Sequence, residues 1–264
     1  MADDDRYTIA GSGGVLKNKL GLTTQERLDR AMNEAATTRW AVMSTEPIPD
    51  RLDLDYLQSI HRRLLSPVIE WAGELRQVGD EVVAGGTGIV YARSEYFRQG
   101  LDEVFGKFAS EDYLRGFPAD EFAKRLADRW GYLSLTHPFR DGNTRSQSAY
   151  VDRLAIRAGH PIDWQLVDVD TLRGLRLRAV SGSERPLADY LRARLVSSTD
   201  RPADGAGLSF EGSARSPALR ASFPKPATES ARHTPAPGTT AARGSVGAHQ
   251  AGRSSQGPSR GGRG

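Results

Sequence analysis

Cysteine is absent from the 264-residue chain, which excludes disulfides, thiolate metal sites and cysteine nucleophiles. A chain without thiols fits a reducing compartment. No uninterrupted apolar run approaches the roughly 18 residues that a membrane-spanning helix needs. The opening segment MADDDRYTIAGSGG puts acids and glycines where a secretory leader carries a basic head and an apolar stretch. Neither a membrane span nor general secretory export is expected, and the expected location is cytoplasmic. Several catalytic signatures are missing as well: no G-x-x-x-x-G-K-[ST] phosphate loop, no G-x-S-x-G nucleophile elbow and no protein-kinase set. His61, His137, His160, His233 and His249 are scattered rather than set at metal-ligand spacing.

Charge is nearly balanced, 36 Lys+Arg against 33 Asp+Glu for a net of +3, but the balance conceals a boundary. In residues 197–264, Ala, Ser, Gly and Pro fill 41 of 68 positions, whereas Leu, Phe and Val fill five. Such a segment buries too little apolar surface to offset its ordering entropy, so a disordered tail is expected. It carries nine Lys+Arg against four Asp+Glu, which leaves the preceding 196 residues at −2. The tail's only aromatics are Phe210 and Phe223, too few to stack bases, and nucleic acid is not an expected partner. The expected organisation is a flexible N-terminus over 1–15, one folded domain over 16–196 and the tail over 197–264.

Apolar periodicity makes the folded part helical. A threonine cap at Thr23 or Thr24 precedes a stripe of Leu28, Met32, Ala35 and Ala36, and Leu54, Leu57, Ile60 and Leu64 repeat the pattern. Between Arg76 and Tyr91 the pattern changes to Val78, Val82, Val83, Ile89 and Val90 around Gly85, Gly86 and Gly88, which predicts a β-hairpin or flexible flap rather than another helix. Helices are expected again from about Ser94, after Pro118, from Thr144 to Ala158, and over about 166–180 and 187–196.

The chemistry concentrates in His137-Pro138-Phe139-Arg140-Asp141-Gly142-Asn143-Thr144-Arg145, between two of these helices. Pro138 disfavours helical geometry at His137, so the first helix ends there. Asp141-Gly142-Asn143 is turn chemistry, after which the second helix begins. Its N-terminus, through Gly142, Asn143 and Thr144, offers backbone N–H groups and a positive dipole end to an anion such as phosphate. Arg145 in the first turn opposes that dipole and makes sense if an anion joins it. Asp141 supplies a hard oxygen donor for Mg²⁺, and His137 a general base with an ordinary pKa of about 6.5. Phe139 pins the loop to the core. Base, metal carboxylate, anion nest and cation within nine residues describe phosphoryl or nucleotidyl transfer.

The string HPFRDGNTR resembles the signature of the Fic family. The flanking segments LKNKLGLT, WAGELR, YLRGF and AGHPIDW stand where the family has similar ones. The resemblance covers residues 10–195 and is close to bacterial Fic toxins and type IV secretion effectors. It implies an all-α Fic fold with a hairpin flap. It also implies transfer of AMP from ATP, with Mg²⁺, to a Ser, Thr or Tyr hydroxyl of a target protein, and translocation into another cell as an alternative to cytoplasmic residence. On it, His137 is the base, Asp141 the Mg²⁺ ligand, and Gly142, Asn143, Thr144 and Arg145 the phosphate site. Gly85 and Gly86 of the flap, and the turn of Leu114 and Gly116, are further nucleotide contacts it suggests, and the flap would pair with the target's main chain.

Two departures stand out. Thr144 replaces the family's usual Gly, and Ser148 replaces a second Arg. Losing that arginine's phosphate contact should cost about 1.5–3 kcal/mol of nucleotide binding and leave the γ-phosphate less fixed. A phosphotransferase, a user of another nucleotide donor, and a catalytically weak partner-binding scaffold are the alternatives this opens. The family's inhibitory Ser/Thr-x-x-x-Glu-Gly/Asn motif is absent, because the only Glu before Gly or Asn is Glu211 and Gly207 stands four before it. Restraint would then come from a separate small antitoxin. His61 and His160 are expected to be structural.

Overall fold

The structure, a computed structural model, describes residues 6–77, 79–80, 90–93 and 95–196. Most of the expected hairpin flap, with Gly85 and Gly86, lies outside the described residues, as does the tail from 197. Among the described residues the chain is helical and has no β-sheet, only isolated antiparallel bridges that pair Thr8 with Leu16 and Ile162 with Leu195. The α-helices are α1 (Gln25–Ser44), α2 (Leu54–Leu65), α3 (Phe97–Ser110), α4 (Ala119–Thr136), α5 (Asn143–Ala158), α6 (Val169–Ser181) and α7 (Arg185–Arg192). No helix among them is long and apolar enough to cross a membrane.

Helix starts follow local capping chemistry. Asp53 Oδ1 accepts the Tyr56 N–H at 3.1 Å and opens α2, and Asp168 Oδ1 accepts the Thr171 N–H at 2.8 Å and opens α6. The second cap explains why α6 starts at Val169 rather than near Leu166. Helix α3 starts at Phe97, slightly later than the apolar pattern suggests.

Helices α4 and α5 run antiparallel. Gln147 Nε2 donates to the Leu133 carbonyl at 3.2 Å near one end, and His160 Nε2 meets the Phe117 carbonyl at 2.7 Å near the other. Helices α3, α6 and α7 pack on α4, while α2 packs on α5 and α1 on α2. The predicted stripe of α4, Phe122, Leu126, Trp130 and Leu133, is fully buried, as are Tyr150 and Leu154 of α5. Each such side chain contributes roughly 1.5–3 kcal/mol by leaving water. Gly131 lets α6 approach, since a Cβ there would lie 2.8 Å from Ala179 Cβ.

One expectation is corrected. The N-terminal segment is not loose up to residue 15: from residue 6 it folds back on itself, with Ile9 N–H to Val15 C=O at 2.8 Å and Lys17 N–H to Tyr7 C=O at 2.7 Å. Tyr7 and Val15 are buried, and the Tyr7 ring packs edge-on against Trp71 with centroids 5.2 Å apart. Burial of these apolar groups offsets the entropy of ordering the segment.

Candidate active site

The loop between α4 and α5 starts where Pro138 ends α4. His137 takes the left-handed conformation, φ 45° and ψ 64°, which turns the chain out of the helix. The last carbonyls of a helix have no intrahelical partner. Here Arg76, fully buried, supplies them: its Nε donates to the His137 carbonyl at 2.9 Å, Nη2 to Thr136 at 3.1 Å, and its backbone N–H to Pro138 at 2.9 Å. A guanidinium at the negative end of the α4 dipole is electrostatically well placed. It fixes the backbone that carries His137.

Helix α5 then begins at Asn143, with Gly142 at its N-cap in the left-handed region (φ 77°) and no side chain capping it. Intrahelical bonding starts with Ser146 N–H to Gly142 C=O at 3.0 Å. The Asn143 side chain is spent inside the loop, accepting the Phe139 N–H at 3.0 Å and donating to the Phe139 carbonyl at 2.7 Å. Its contribution to an anion is therefore its backbone. Phe139 is fully buried, as the sequence implied.

His61 of α2 holds the same loop from below. Gly73 N–H donates to its Nδ1 at 2.7 Å, so Nδ1 is the acceptor, and Nε2 at 2.8 Å from the Asp141 carbonyl must carry the proton. Its ring stacks on Phe139 with centroids 3.9 Å apart. The expectation that His61 is structural holds, but the structure it supports is the loop carrying the site residues.

Arg145, 6% exposed, donates from Nε and Nη2 to Asn33 Oδ1 at 3.0 and 2.8 Å, and its Nη1 lies 3.5 Å from Asp141 Oδ1. The Asp141 carboxylate also accepts the Gly142 N–H and keeps about a third of its side chain exposed, 35%. Thr144 is half-buried in the first turn of α5.

His137 itself stacks on Tyr91, centroids 3.7 Å apart and planes 15° from parallel. Although part of the residue is exposed, burial of the ring pulls its pKa down to about 3, helped by the cations Arg176, Arg76 and Arg140; a hydrogen bond to the Ser134 backbone acts the other way. The ordinary histidine value assumed from sequence is thus replaced by one that keeps the imidazole neutral. Arg176 is buried on neutral partners, with Nε on Ser134 Oγ at 3.0 Å, Nη2 on Gln147 and the Trp130 ring 4.9 Å away. Burial lowers its own pKa to about 10.

The Fic/DOC family profile matches residues 51–155, which contain this loop. The chain is also 30% identical over 164 residues to the probable protein adenylyltransferase Fic of Escherichia coli (strain K12), across 62% of this chain and 78% of that protein. The chain belongs to the Fic/DOC family. The protein adenylyltransferase VbhT of Bartonella schoenbuchensis is 32% identical over 196 residues, 74% of this chain but only 40% of VbhT, so the chain spans less than half of that relative's length. Among solved structures, Bartonella tribocorum BepC with bound AMPPNP has a TM-score of 0.67 at 25% identity, covering 72% of this chain and 96% of that one.

Within this Fic/DOC fold, His137, Asp141, Gly142, Asn143, Thr144 and Arg145 stand together. Leu114 and Gly116 do not join them. They precede α4 and sit by the far end of α5, where Arg157 reaches Asp112 at 3.8 Å and lies over Tyr113. Sixteen residues of α5 separate the two ends, about 24 Å. Leu114 is moreover fully buried, in a turn where Asp112, Tyr113 and Leu114 all have positive φ. Ser148 is fully buried, and its hydroxyl has no hydrogen-bond partner among the described residues.

Three residues of the site escaped the sequence. Arg76 lies in the WAGELR segment, but nothing in the string says that it caps another helix. Asn33 and Arg176 sit on amphipathic helices where a polar residue reads as solvated. The structure turns them inward because α1 and α6 pack close to the loop.

Acid should weaken this fold. Burial lowers the His61 pKa to about 4, with the Asp141 backbone contact opposing. Between that value and the ordinary one the unfolded chain binds the extra proton, so stability present above about pH 6.5 is lost as pH falls through the folded value, by about 3 kcal/mol for this residue. Denaturant titrations from pH 7 to 4 should show the decline, and His61→Gln should make it shallower by about half, because His137, with its pKa lowered to about 3, contributes over the same window. An unchanged slope in the variant would count against this assignment.

Proposed function

We propose that the chain is a protein adenylyltransferase that transfers AMP from ATP to a hydroxyl side chain of a target protein. The observation that carries this is the loop geometry: a neutral imidazole fixed at the end of α4, with an uncapped helix N-terminus, a carboxylate and an arginine directly after it. The names of VbhT and of the Escherichia coli relative, and the AMPPNP bound by BepC, support the same chemistry.

In the proposed step the target hydroxyl oxygen forms a bond to the α-phosphorus as its proton passes to His137. The bond to the β-phosphate bridging oxygen breaks, and pyrophosphate leaves. A neutral His137 is competent as acceptor at any physiological pH, but a pKa near 3 is a weak driving force. Polyphosphate beside Arg140 and Arg145 would offset the surrounding cations and raise that value when it is needed. The N–H groups of the first α5 turn and Arg145 would hold the phosphates. The partly exposed Asp141 carboxylate fits Mg²⁺, which binds through one or two carboxylates plus substrate phosphates and when bound neutralises phosphate charge. Asn33, Arg76 and His61 act by orienting these groups.

Ser148 favours a second reading, in which a loosely held γ-phosphate is the group transferred. Incubation with ATP and a target or the chain itself, followed by mass spectrometry, separates the readings. A gain of one AMP is expected. A gain of one phosphate would establish phosphotransfer, and ATP binding with no transfer would leave a scaffold. BepC is a VirB-translocated Bartonella effector, which supports delivery into another cell; a small antitoxin is the proposed restraint. Co-purification of the chain with a small helical protein that blocks labelling would support it.

A further inference from the structure

We propose that Asn33 is a positioning residue for the Arg145 guanidinium, and that it works because it is neutral. This deepens the nucleotide-site reading above and rests on it. Arg145 stands in the first turn of α5, where its charge opposes the helix dipole, and it is almost wholly buried. Left to itself, a long side chain there would sample many rotamers. Two of its donors, Nε at 3.0 Å and Nη2 at 2.8 Å, converge on the single Oδ1 of Asn33 from α1. Two bonds from one edge of a planar fork to one acceptor hold that edge in place and set the direction in which the fork points. The remaining Nη1 is then turned to the Asp141 side, 3.5 Å from Oδ1, where phosphate and metal would meet.

An aspartate at 33 would offer the same acceptor in the same place. Such a carboxylate would also bind the guanidinium more tightly, because a full negative charge would replace the amide dipole. It would, however, cancel the charge that an incoming phosphate needs, and with Asp141 it would put two acids around one arginine. The amide orients the cation and leaves its charge for the ligand. Because Asn33 lies on α1, 112 residues away in sequence, the seating of α1 helps to set the phosphate site.

The test is calorimetric titration of the full chain with ATP and magnesium, with thermal melts alongside. Asn33→Ala should weaken ATP binding about 5–10-fold by loosening the arginine. Asn33→Asp should weaken it about 30-fold or more while melting at or above the wild-type temperature. A purely structural role predicts the opposite, rescue by the near-isosteric acid. Asn33→Asp that binds ATP as well as Asn33→Ala or better overturns the inference, and so, independently, does Asn33→Ala with wild-type affinity. Wild-type protein that binds no ATP would overturn the nucleotide-site reading and this inference together.

Discussion

His137→Asn is expected to lower AMP transfer by about 10²–10⁴-fold, the range typical for losing a positioned general base. Asparagine is the informative replacement because position 137 is left-handed, φ 45°, which asparagine tolerates and alanine does so less well. The Arg76 bonds at this turn go to main-chain carbonyls of Thr136, His137 and Pro138, so they survive the change. What is lost is the imidazole acceptor and its stack on Tyr91. ATP affinity should stay within a few-fold of wild type, since the groups proposed to hold the phosphates belong to other residues. Labelled-ATP transfer assays paired with binding measurements check this. Transfer within a few-fold of wild type would remove His137 from the mechanism.

Gly142→Ala should be strongly destabilising. Its φ of 77° places an added Cβ in a left-handed conformation costing about 1–2 kcal/mol. That Cβ would also lie 2.3 Å from Leu65 Cδ1 and 2.9 Å from His61 Nε2. Leu65 can swing away. His61 cannot, because both ring nitrogens are bonded and its face is stacked on Phe139, so overpacking adds about 1–3 kcal/mol. Gly159→Ala provides the control: φ is 84° there, but no atom of the described residues lies within 4 Å of an added Cβ. Denaturant unfolding should place Gly142→Ala about 1–3 kcal/mol below that control, with ATP binding also lost, since the displaced loop carries the α5 N-terminus. Equal destabilisation of the two variants would mean that the loop is not clamped by His61.

The helices and the site loop were legible because their signals are local. Pro138 and Asp141-Gly142-Asn143 mark a helix end and a helix start, and the buried stripe of α4 is visible at helical spacing. The position of Leu114 and Gly116 relative to the loop was not legible, for a different reason. Order along the chain does not say that α4 carries its N-terminal turn about 24–27 Å from its C-terminal one. The looseness expected of residues 6–15 failed likewise, since Tyr7 is ordered by Trp71, a partner more than sixty positions away.

By itself the sequence determined a helical protein with an acidic body, a basic low-complexity tail and one loop holding base, carboxylate, helix N-terminus and arginine. Those properties follow from neighbours along the chain. Only the tertiary structure decided how the loop is held: Arg76 beneath His137, His61 beneath Gly142, and Asn33 against Arg145. It also decided that His137 is neutral, because desolvation and the nearness of Arg176 and Arg76 arise only when separate elements pack together.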